Sequence, residues 1–411
     1  MHTYTELFRH REFRALWTSS ALGVAASTMA SLTLATLVYA QTGSALLTAL
    51  TMFGPSLAQV VGATTLMSAA DTSPPRRILT LLAAAGALAL VLQAALGLPP
   101  LGRVGLLLVT AYLLSIGAGV RWGLLAAVLP RDAFALGRSA MNVSVGVMQI
   151  VGFASGGVLL QVLSVRQILA TAAALACVAV PVLWCGVGKH APRRAARAGL
   201  RETLRGNRLL LGQPSTRPLL IALAVPNGLV VGCEALFVPY AGDSAAPLFV
   251  AAAAGMLAGD LVVGRVLSVA QRRHTATWLR LLLAVPFLGF ALHPGTPVAA
   301  LLVAIACVGY AASLAQQEML VAITPPRLSG QVLGVESSLR MTCQGLGALL
   351  AGSLAEVLDT GHTVALLAIA SLLVSVGLTP ALTRASSRVS RAEQAHTTAA
   401  PALTGRTPRG T

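Results

Sequence analysis

Residues 149–157 read QIVGFASGG, and residues 344–352 read QGLGALLAG. Both stretches lie inside long apolar runs, and both place a glycine three residues after a glutamine and a second glycine five residues later. Two further pairs repeat in the same order at offsets of about 200 residues: residues 38–45 (VYAQTGSA) with 239–245 (PYAGDSA), and Arg76-Arg77 with Arg272-Arg273. These repeats predict a chain that is duplicated as six plus six helices.

The composition is that of a membrane protein. Of the 411 residues, 56% are hydrophobic and 10% are charged, and the mean hydropathy is +0.78. A soluble domain carries about 25% charged residues, and a disordered chain has low hydrophobicity, so both classes are excluded. A membrane helix needs ~20 apolar residues. Twelve apolar runs are present, at about 15–40, 46–69, 78–98, 104–129, 139–163, 167–188, 218–241, 245–270, 277–292, 297–322, 331–356 and 363–383. The sequence predicts an all-α polytopic membrane protein with twelve transmembrane helices in two pseudo-symmetric six-helix bundles.

The charges indicate how the chain is oriented. There are 29 basic and 13 acidic residues, for a net charge of +16, and every basic residue except Lys189 is arginine. The arginines occupy short breaks between apolar runs, which indicates topology in a lipid bilayer rather than a nucleic-acid surface. They concentrate on the side of both chain ends, so we expect both termini to be cytoplasmic and the membrane to be the inner (plasma) membrane.

The same reasoning divides the chain into four regions. We expect an N-terminal six-helix bundle at 1–188, a basic cytoplasmic linker at 189–217, a C-terminal bundle at 218–383 and a disordered cytoplasmic tail at 384–411. Several linker arginines recur every three or four residues, which predicts an amphipathic helix lying on the anionic leaflet. The alternative is a linker that serves topology alone.

Cysteines and histidines predict no cofactor chemistry. The five cysteines lie in apolar runs without CxxC spacing, so neither disulfides nor a zinc site are expected. All seven histidines lie in loops or chain ends, so no histidine metal site is predicted.

Two stretches carry a resemblance to a known family. Residues 8–17 (FRHREFRALW) and 39–44 (YAQTGS) are similar to stretches of major facilitator superfamily (MFS) transporters of the bacterial drug-efflux-like branch. The resemblance covers about residues 10–383. It implies the twelve-helix MFS fold and transport of a small-molecule substrate.

A glycine pattern resembles one of the antiporters in that superfamily. Their fifth helix carries G-P-x-x-G-G, and here Gly152, Gly156 and Gly157 match it, while Phe153 stands in place of the proline. The resemblance implies a helix-packing role for the three glycines. It also implies export as the direction of transport.

The loop after the second run resembles the MFS pattern G-x-x-x-D-R-x-G-R-R. Asp71, Arg76 and Arg77 match it when one extra residue is allowed between the aspartate and the two arginines, and the remaining defined positions of the pattern differ. The resemblance implies a cytoplasmic gate in which Asp71 holds a neighbouring helix. The alternative is a loop that serves topology and helix capping alone.

Ionisable residues inside apolar runs are costly, so they mark functional candidates. Glu234 follows Pro226-Asn227-Gly228, which we expect to weaken the seventh helix near mid-membrane. Glu234 is therefore predicted to be a protonatable or cation-binding carboxylate, and Asn227 to belong to the same site. The alternative is a structural acid bonded to a neighbouring helix.

Three further candidates lie in the second half. Asp260 precedes Arg265 by about one turn and is predicted either to couple protons or to pair with Arg265. Glu336 and Arg340 are four residues apart, so an internal ion pair is favoured over a role in ion coupling.

Two further candidates are Arg121, which has no acid one helical turn away, and Glu318. Arg121 must find its partner on another helix, and either a carboxylate or an anionic substrate group would serve. Glu318 lies near the inner end of the tenth run and is expected to close a cytoplasmic gate by binding arginines there; the alternative is contact with the substrate.

We therefore predict a secondary transporter that works by alternating access, most simply as a proton-coupled exporter of a small organic solute. Protons, the substrate and the bilayer are the expected partners, and a monomer is the expected unit. The alternatives are an importer or facilitator on the same fold and a non-transporting sensor or scaffold. The catalytic constellations of an enzyme and the P-loop of an ATP-driven pump are absent from the sequence.

Overall fold

The computed structural model describes residues 4–66, 74–191, 208, 210–325 and 328–399. This part of the chain is helical and contains no strand. A short helix, Tyr4–Arg9, precedes the first half, whose membrane segments are α1 Arg11–Thr42, α2 Ala45–Thr65, α3 Pro75–Ala95, α4 Pro100–Leu114 with Gly117–Val128, α5 Arg131–Leu159 and α6 Val165–Gly186. The second half has α7 Arg217–Ala235 with Phe237–Ala241, α8 Ala246–Arg265, α9 Val269–Leu282 with a 3₁₀ turn Val285–Leu292, α10 Thr296–Val308 with Gly309–Ala311 and Ala312–Ile323, α11 Ser329–Ala355 and α12 Thr360–Ala399.

Eleven of these segments are long and apolar enough to cross a membrane. The twelfth, α11, has 27 residues, which also suffices at 1.5 Å per residue, but it carries the charged Glu336 and Arg340. The predicted fold class is confirmed. We call the end with residues 43–44, 242–245 and 356–359 the distal end, and the opposite end, with the N-terminal helix and the arginine-bearing connections, the basic end.

Two helix boundaries differ from the predictions, and a third region is not described. The ninth helix begins at Val269 rather than 277, because Ser268 and Gln271 form a capping box that starts a helix in a basic stretch. The last helix continues to Ala399, whereas a disordered tail was expected from residue 384; arginine, alanine, glutamate and glutamine in this stretch are good helix formers. Most of the predicted linker helix, residues 192–207 and 209, lies outside the described residues.

The two halves pack alike. In the first half α1 packs on α5 and α6, α2 on α4, and α3 on α6. In the second half α7 packs on α11 and α12, α8 on α10, and the 3₁₀ turn of α9 on α12. The halves meet along two helix pairs, α2 with α11 and α5 with α8, which correspond under the duplication. The six-plus-six organisation read from short sequence repeats is therefore present in the packing.

Matched glycines bring matched helices together within each half. A Cβ at Gly152 of α5 would lie 2.8 Å from Cβ of Thr28 on α1. A Cβ at Gly347 of α11 would overlap the backbone of Gly228 on α7. Small residues are required at both places because the helix backbones approach closely.

The next glycine of each repeat faces the other half. A Cβ at Gly157 of α5 would overlap the side chain of Ala246 on α8, and a Cβ at Gly352 of α11 would lie 2.7 Å from Cα of Leu46 on α2. Both contacts lie near the distal end. They hold the two halves together there.

An aromatic chain also crosses between the halves near this end. Phe153 of α5 stacks on Phe249 of α8 with ring centroids 4.8 Å apart, and Phe249 meets Phe237 edge-on at 5.1 Å. Such pairs contribute about 0.5–1.5 kcal/mol each beyond the area that they bury. Phe153, which replaces the motif's proline, thus has a packing partner in the opposite half.

Candidate functional site

Glu234 lies in α7, two residues before the helix is interrupted at Leu236. Its side chain is buried, and Oε1 accepts a 2.8 Å hydrogen bond from the hydroxyl of Tyr310 on α10. The thiol of Cys307, also on α10, lies 3.7 Å from the same oxygen. The carboxyl group is therefore bonded to a neighbouring helix.

Tyr310 reaches Glu234 because α10 is irregular at this depth. The 3₁₀ turn Gly309–Ala311 breaks the helix, and a Cβ at Gly309 would lie 2.5 Å from the carbonyl oxygen of Leu279 on α9. Glycine therefore allows α9 and α10 to touch where the turn presents the tyrosine. Irregular backbone at membrane depth is tolerated where it packs against protein or lines a wet cavity. In this pair Glu234 is buried and Tyr310 is half-buried.

Asn227 lies two turns before Glu234 on α7. Its Oδ1 accepts a 2.8 Å hydrogen bond from Nε2 of Gln344 on α11, and the carbonyl of Pro226 accepts one of 3.3 Å from Ser371 on α12. The predicted weakening of α7 at Pro226-Asn227-Gly228 is wrong, since the helix is continuous from Arg217 to Ala235. Packing against α11 and the bond from Ser371 support the backbone there.

Glu336 and Arg340 form an ion pair within α11. Nε of Arg340 lies 2.9 Å from Oε1 of Glu336, which is buried, while Arg340 retains 30% of its side-chain exposure. Nε2 of Gln317 on α10 donates a 3.3 Å hydrogen bond to the other carboxylate oxygen. The pair is thus satisfied on both sides.

Arg121 of α4 donates a 3.2 Å hydrogen bond to the buried hydroxyl of Ser20 on α1. Among the described side chains, no carboxylate pairs with it. A guanidinium group with one neutral partner keeps most of its five donors free for another group.

Asp260 and Arg265 do not pair. Arg265 instead donates a 3.1 Å hydrogen bond to the hydroxyl of Tyr4, which links α8 to the N-terminal helix at the basic end. Asp260 is exposed and has no hydrogen bond or ion pair within the described residues. It lies three residues beyond Leu257, whose side chain packs at Gly146 of α5, so it lies along the edge of α8 that faces the other half.

Among the described residues of the predicted gate, Arg76 and Arg77 of the first half do not contact Glu318 of the second half. Glu318 binds Arg272, but both belong to the second half, on α10 and α9. The guanidinium of Arg76 stacks on Trp184 of α6, 4.2 Å from the ring centroid, and Arg77 is exposed. Asp71 lies outside the described residues.

A contact between the halves at the distal end was not predicted from the sequence. Oε1 of Glu356 accepts hydrogen bonds from the hydroxyl of Ser44 at 2.6 Å and from the backbone N–H of Leu46 at 3.0 Å. These bonds, first that from Leu46 and then that from Ser44, lower the pKa of Glu356. Glu356 thereby joins the end of α11 to the start of α2.

A second distal feature is a triad of His293, Asp359 and His362. Oδ2 of Asp359 lies 2.6 Å from Nε2 of His293 and 3.1 Å from Nδ1 of His362. The bond from His293 and that from the backbone N–H of His362 lower the pKa of Asp359 to about 2. No histidine metal site was predicted from the sequence, and these three side chains come together because the α9–α10 and α11–α12 connections meet.

The fold defines the class of protein: two six-helix bundles related by duplication, the MFS fold of a multi-pass membrane protein. No family model and no curated protein matches the chain. Among solved structures, it is similar to a POT family transporter in complex with 5-aminolevulinic acid, with a TM-score of 0.71 and 10% identity over 92% of this chain and 97% of that one.

Two other solved structures have similar folds. A point mutant of the nucleoside transporter NupG gives a TM-score of 0.69 at 14% identity, over 90% of this chain and 99% of that one. A bacterial homologue of the human lysosomal transporter Spinster, in an inward-facing and unoccupied conformation, gives a TM-score of 0.65 at 14% identity, over 92% of this chain and 96% of that one. These likenesses span nearly the whole of each chain, so the fold is shared from end to end.

Proposed function

We propose that the protein is a secondary transporter that moves a small organic solute across the membrane by alternating access. The observation that carries this proposal is the pair of corresponding contacts, α2 with α11 and α5 with α8, along which two similar bundles meet. Bundles joined in this way can rock about a site between them. The likeness in fold to three transporters supports the same function.

The proposed state is closed at the distal end and open toward the basic end, where the exposed hydrogen bond from Arg265 to Tyr4 also links the halves. Gly157, Gly352, Phe153 and Glu356 all contact the opposite half near the distal end. Asp260, beyond Leu257 on the way to the basic end, is exposed. Opening of the distal end would require these contacts to part.

The proposed coupling group is Glu234, with Tyr310 as its partner. Protonation converts the carboxylate from a pure acceptor into a group that can also donate, so it changes which hydrogen bonds α7 and α10 can share. A proton shifts an equilibrium between two states only if they bind it differently. Asp260 and Arg121 are proposed to contact substrate or ions, and export is the proposed direction.

The proposed unit is a monomer, because one chain supplies both halves of the path. By the distribution of arginines, we place it in the inner membrane with both termini in the cytoplasm. Two alternatives stay open under this fold. An importer or facilitator would differ in the direction of accumulation. A sensor or scaffold would show no flux.

A proteoliposome experiment tests the proposal. Four radiolabelled or fluorescent probes are offered, namely ethidium, uridine, 5-aminolevulinic acid and a dipeptide, each with and without a pH gradient. We expect saturable flux of at least one probe that increases with the gradient and is lost in Glu234→Gln. The matched control is Asp243→Asn, which neutralises an exposed distal acid. Flux that ignores the gradient would refute the coupling, and absence of flux for every probe in the folded protein would favour the sensor or scaffold.

A further inference from the structure

Two connections that are far apart in sequence meet at the distal end and bring three metal-binding side chains together. His293 begins the α9–α10 connection, and Asp359 and His362 flank the start of α12. One ligand atom from each residue lies within 4.8 Å of the other two. The two imidazole rings stand edge to face, with centroids 5.1 Å apart.

The backbone holds this arrangement in place. His293 has φ 51°, the only positive φ of a non-glycine residue in the described part of the chain. Such a conformation costs of order 1–3 kcal/mol and persists where its surroundings enforce it. The next residue, Pro294, is anchored by a 2.8 Å hydrogen bond from the hydroxyl of Tyr240 to its carbonyl oxygen.

Glycine at position 361 lets the histidine approach α12. A Cβ there would lie 2.9 Å from Nε2 of His293 and 2.6 Å from the carbonyl oxygen of Phe290. The close approach leaves Nε2 directed at the carboxylate of Asp359. The triad is thus built by two separate connections and does not depend on one flexible loop.

The donor set and its spacing suit a borderline divalent ion. Two imidazole nitrogens and one carboxylate oxygen form the ligand set of many zinc sites, with bonds of about 2.0–2.2 Å. Tetrahedral ligands at that distance stand about 3.4 Å apart. The observed separations of 2.6 and 3.1 Å from Oδ2 of Asp359 therefore need to widen by less than about 1 Å to admit the ion.

We propose that His293, Asp359 and His362 bind one Zn²⁺ ion at the distal end through Nε2, Oδ2 and Nδ1. Binding requires both nitrogens to be unprotonated, so the proton of each neutral ring moves to its other nitrogen, and a protonated ring releases one to water. The exposed triad leaves the fourth tetrahedral position to water. The ion clamps the α9–α10 connection to the α11–α12 connection. By the arginine distribution, it is reached from outside the cell.

Isothermal titration calorimetry tests this site on the full chain in nanodiscs, purified without a histidine tag. ZnCl₂ is the probe, and MgCl₂ is the comparison because Mg²⁺ prefers oxygen ligands. We expect one Zn²⁺ per chain and no Mg²⁺ binding. Removal of outer-shell partners alone weakens metal sites 10–100-fold, so His293→Ala and His362→Ala should weaken binding by at least about 100-fold.

One control variant and one further ligand variant keep the test decisive. His190→Ala removes a histidine that also contacts a carboxylate, Glu12 at 2.8 Å, without a second histidine in the contact, and it should leave binding unchanged. Asp359→Asn retains the shape of the side chain and should weaken Zn²⁺ binding in a folded protein. Zn²⁺ binding that survives in the two alanine variants, or none in the folded wild type, would overturn the proposal whether or not transport is observed.

Discussion

The phenol of Tyr310 donates a 2.8 Å hydrogen bond to the buried carboxyl group of Glu234, and this bond joins α10 to α7 beside an interruption in each helix. Glu234 is almost wholly enclosed, whereas Tyr310 is half-buried. The bond therefore ties the 3₁₀ turn of α10 to the end of the first part of α7.

Tyr310→Phe should destabilise the protein by about 1–3 kcal/mol, because it leaves a buried acceptor without its donor. Glu234→Gln should destabilise it less, since an amide oxygen can still accept the bond from Tyr310. Thermal unfolding in detergent measures both. The matched control is Tyr112→Phe, which removes an exposed hydrogen bond to Thr65 and should change stability by less. Equal losses of thermal stability in Tyr310→Phe and Tyr112→Phe would contradict the role of Tyr310 as the hydrogen-bond donor of Glu234.

The sequence predicted the helices and their duplication well because both depend on local or periodic information. Apolar runs of sufficient length define spans wherever they fold, and the repeated glycines predict close helix contacts whatever the partner. Gly152 and Gly347 illustrate this, since each meets the first helix of its own half.

The partners of polar residues could not be predicted from the sequence in this way. Tyr310 lies 76 residues from Glu234 and reaches it only because α10 breaks at a glycine. Asp260 and Arg265 have a spacing that permits pairing, yet Arg265 binds Tyr4 of the N-terminal helix. Such contacts depend on how whole helices pack, which periodicity does not encode.

Gly157→Ala should shift the protein away from the state that is closed at the distal end. The added methyl group would overlap Ala246 across the interface of the halves, and overpacking costs about 1–3 kcal/mol, or about 5- to 150-fold in the ratio of two states. Distances between spin labels at Gln41 and Asp243, in a cysteine-free background, should lengthen. Gly105→Ala is the control, because nothing lies within 4 Å of a Cβ there. An unchanged distance in Gly157→Ala would count against the closed distal interface.

Acid should weaken the contact of Glu356 with the start of α2. The backbone N–H of Leu46 and the hydroxyl of Ser44 lower the pKa of Glu356 below its usual 4.5. A lowered pKa in the closed state means that the contact is at full strength above pH 4.5 and is lost as the pH falls through the lowered value. The same spin-label distance should therefore lengthen below pH 4.5 in the labelled protein that retains Glu356. Glu356→Gln should remove the dependence of this distance on pH. If the distance still lengthens in acid in this variant, the effect belongs to another titrating group.

The ion pair of Glu336 and Arg340 should stabilise the fold and have no role in coupling ions to transport. Removal of one member of a buried pair costs about 3–5 kcal/mol, whereas replacement of both by apolar residues is often neutral. Arg340 keeps 30% exposure, so Glu336→Gln should fall at the low end of that range. The double variant Glu336→Leu/Arg340→Leu should restore most of the stability, measured by thermal unfolding in detergent. If flux also returns in proteoliposomes, the pair serves to neutralise two charges in lipid; a stable double variant without flux would instead place Glu336 and Arg340 on the transport path.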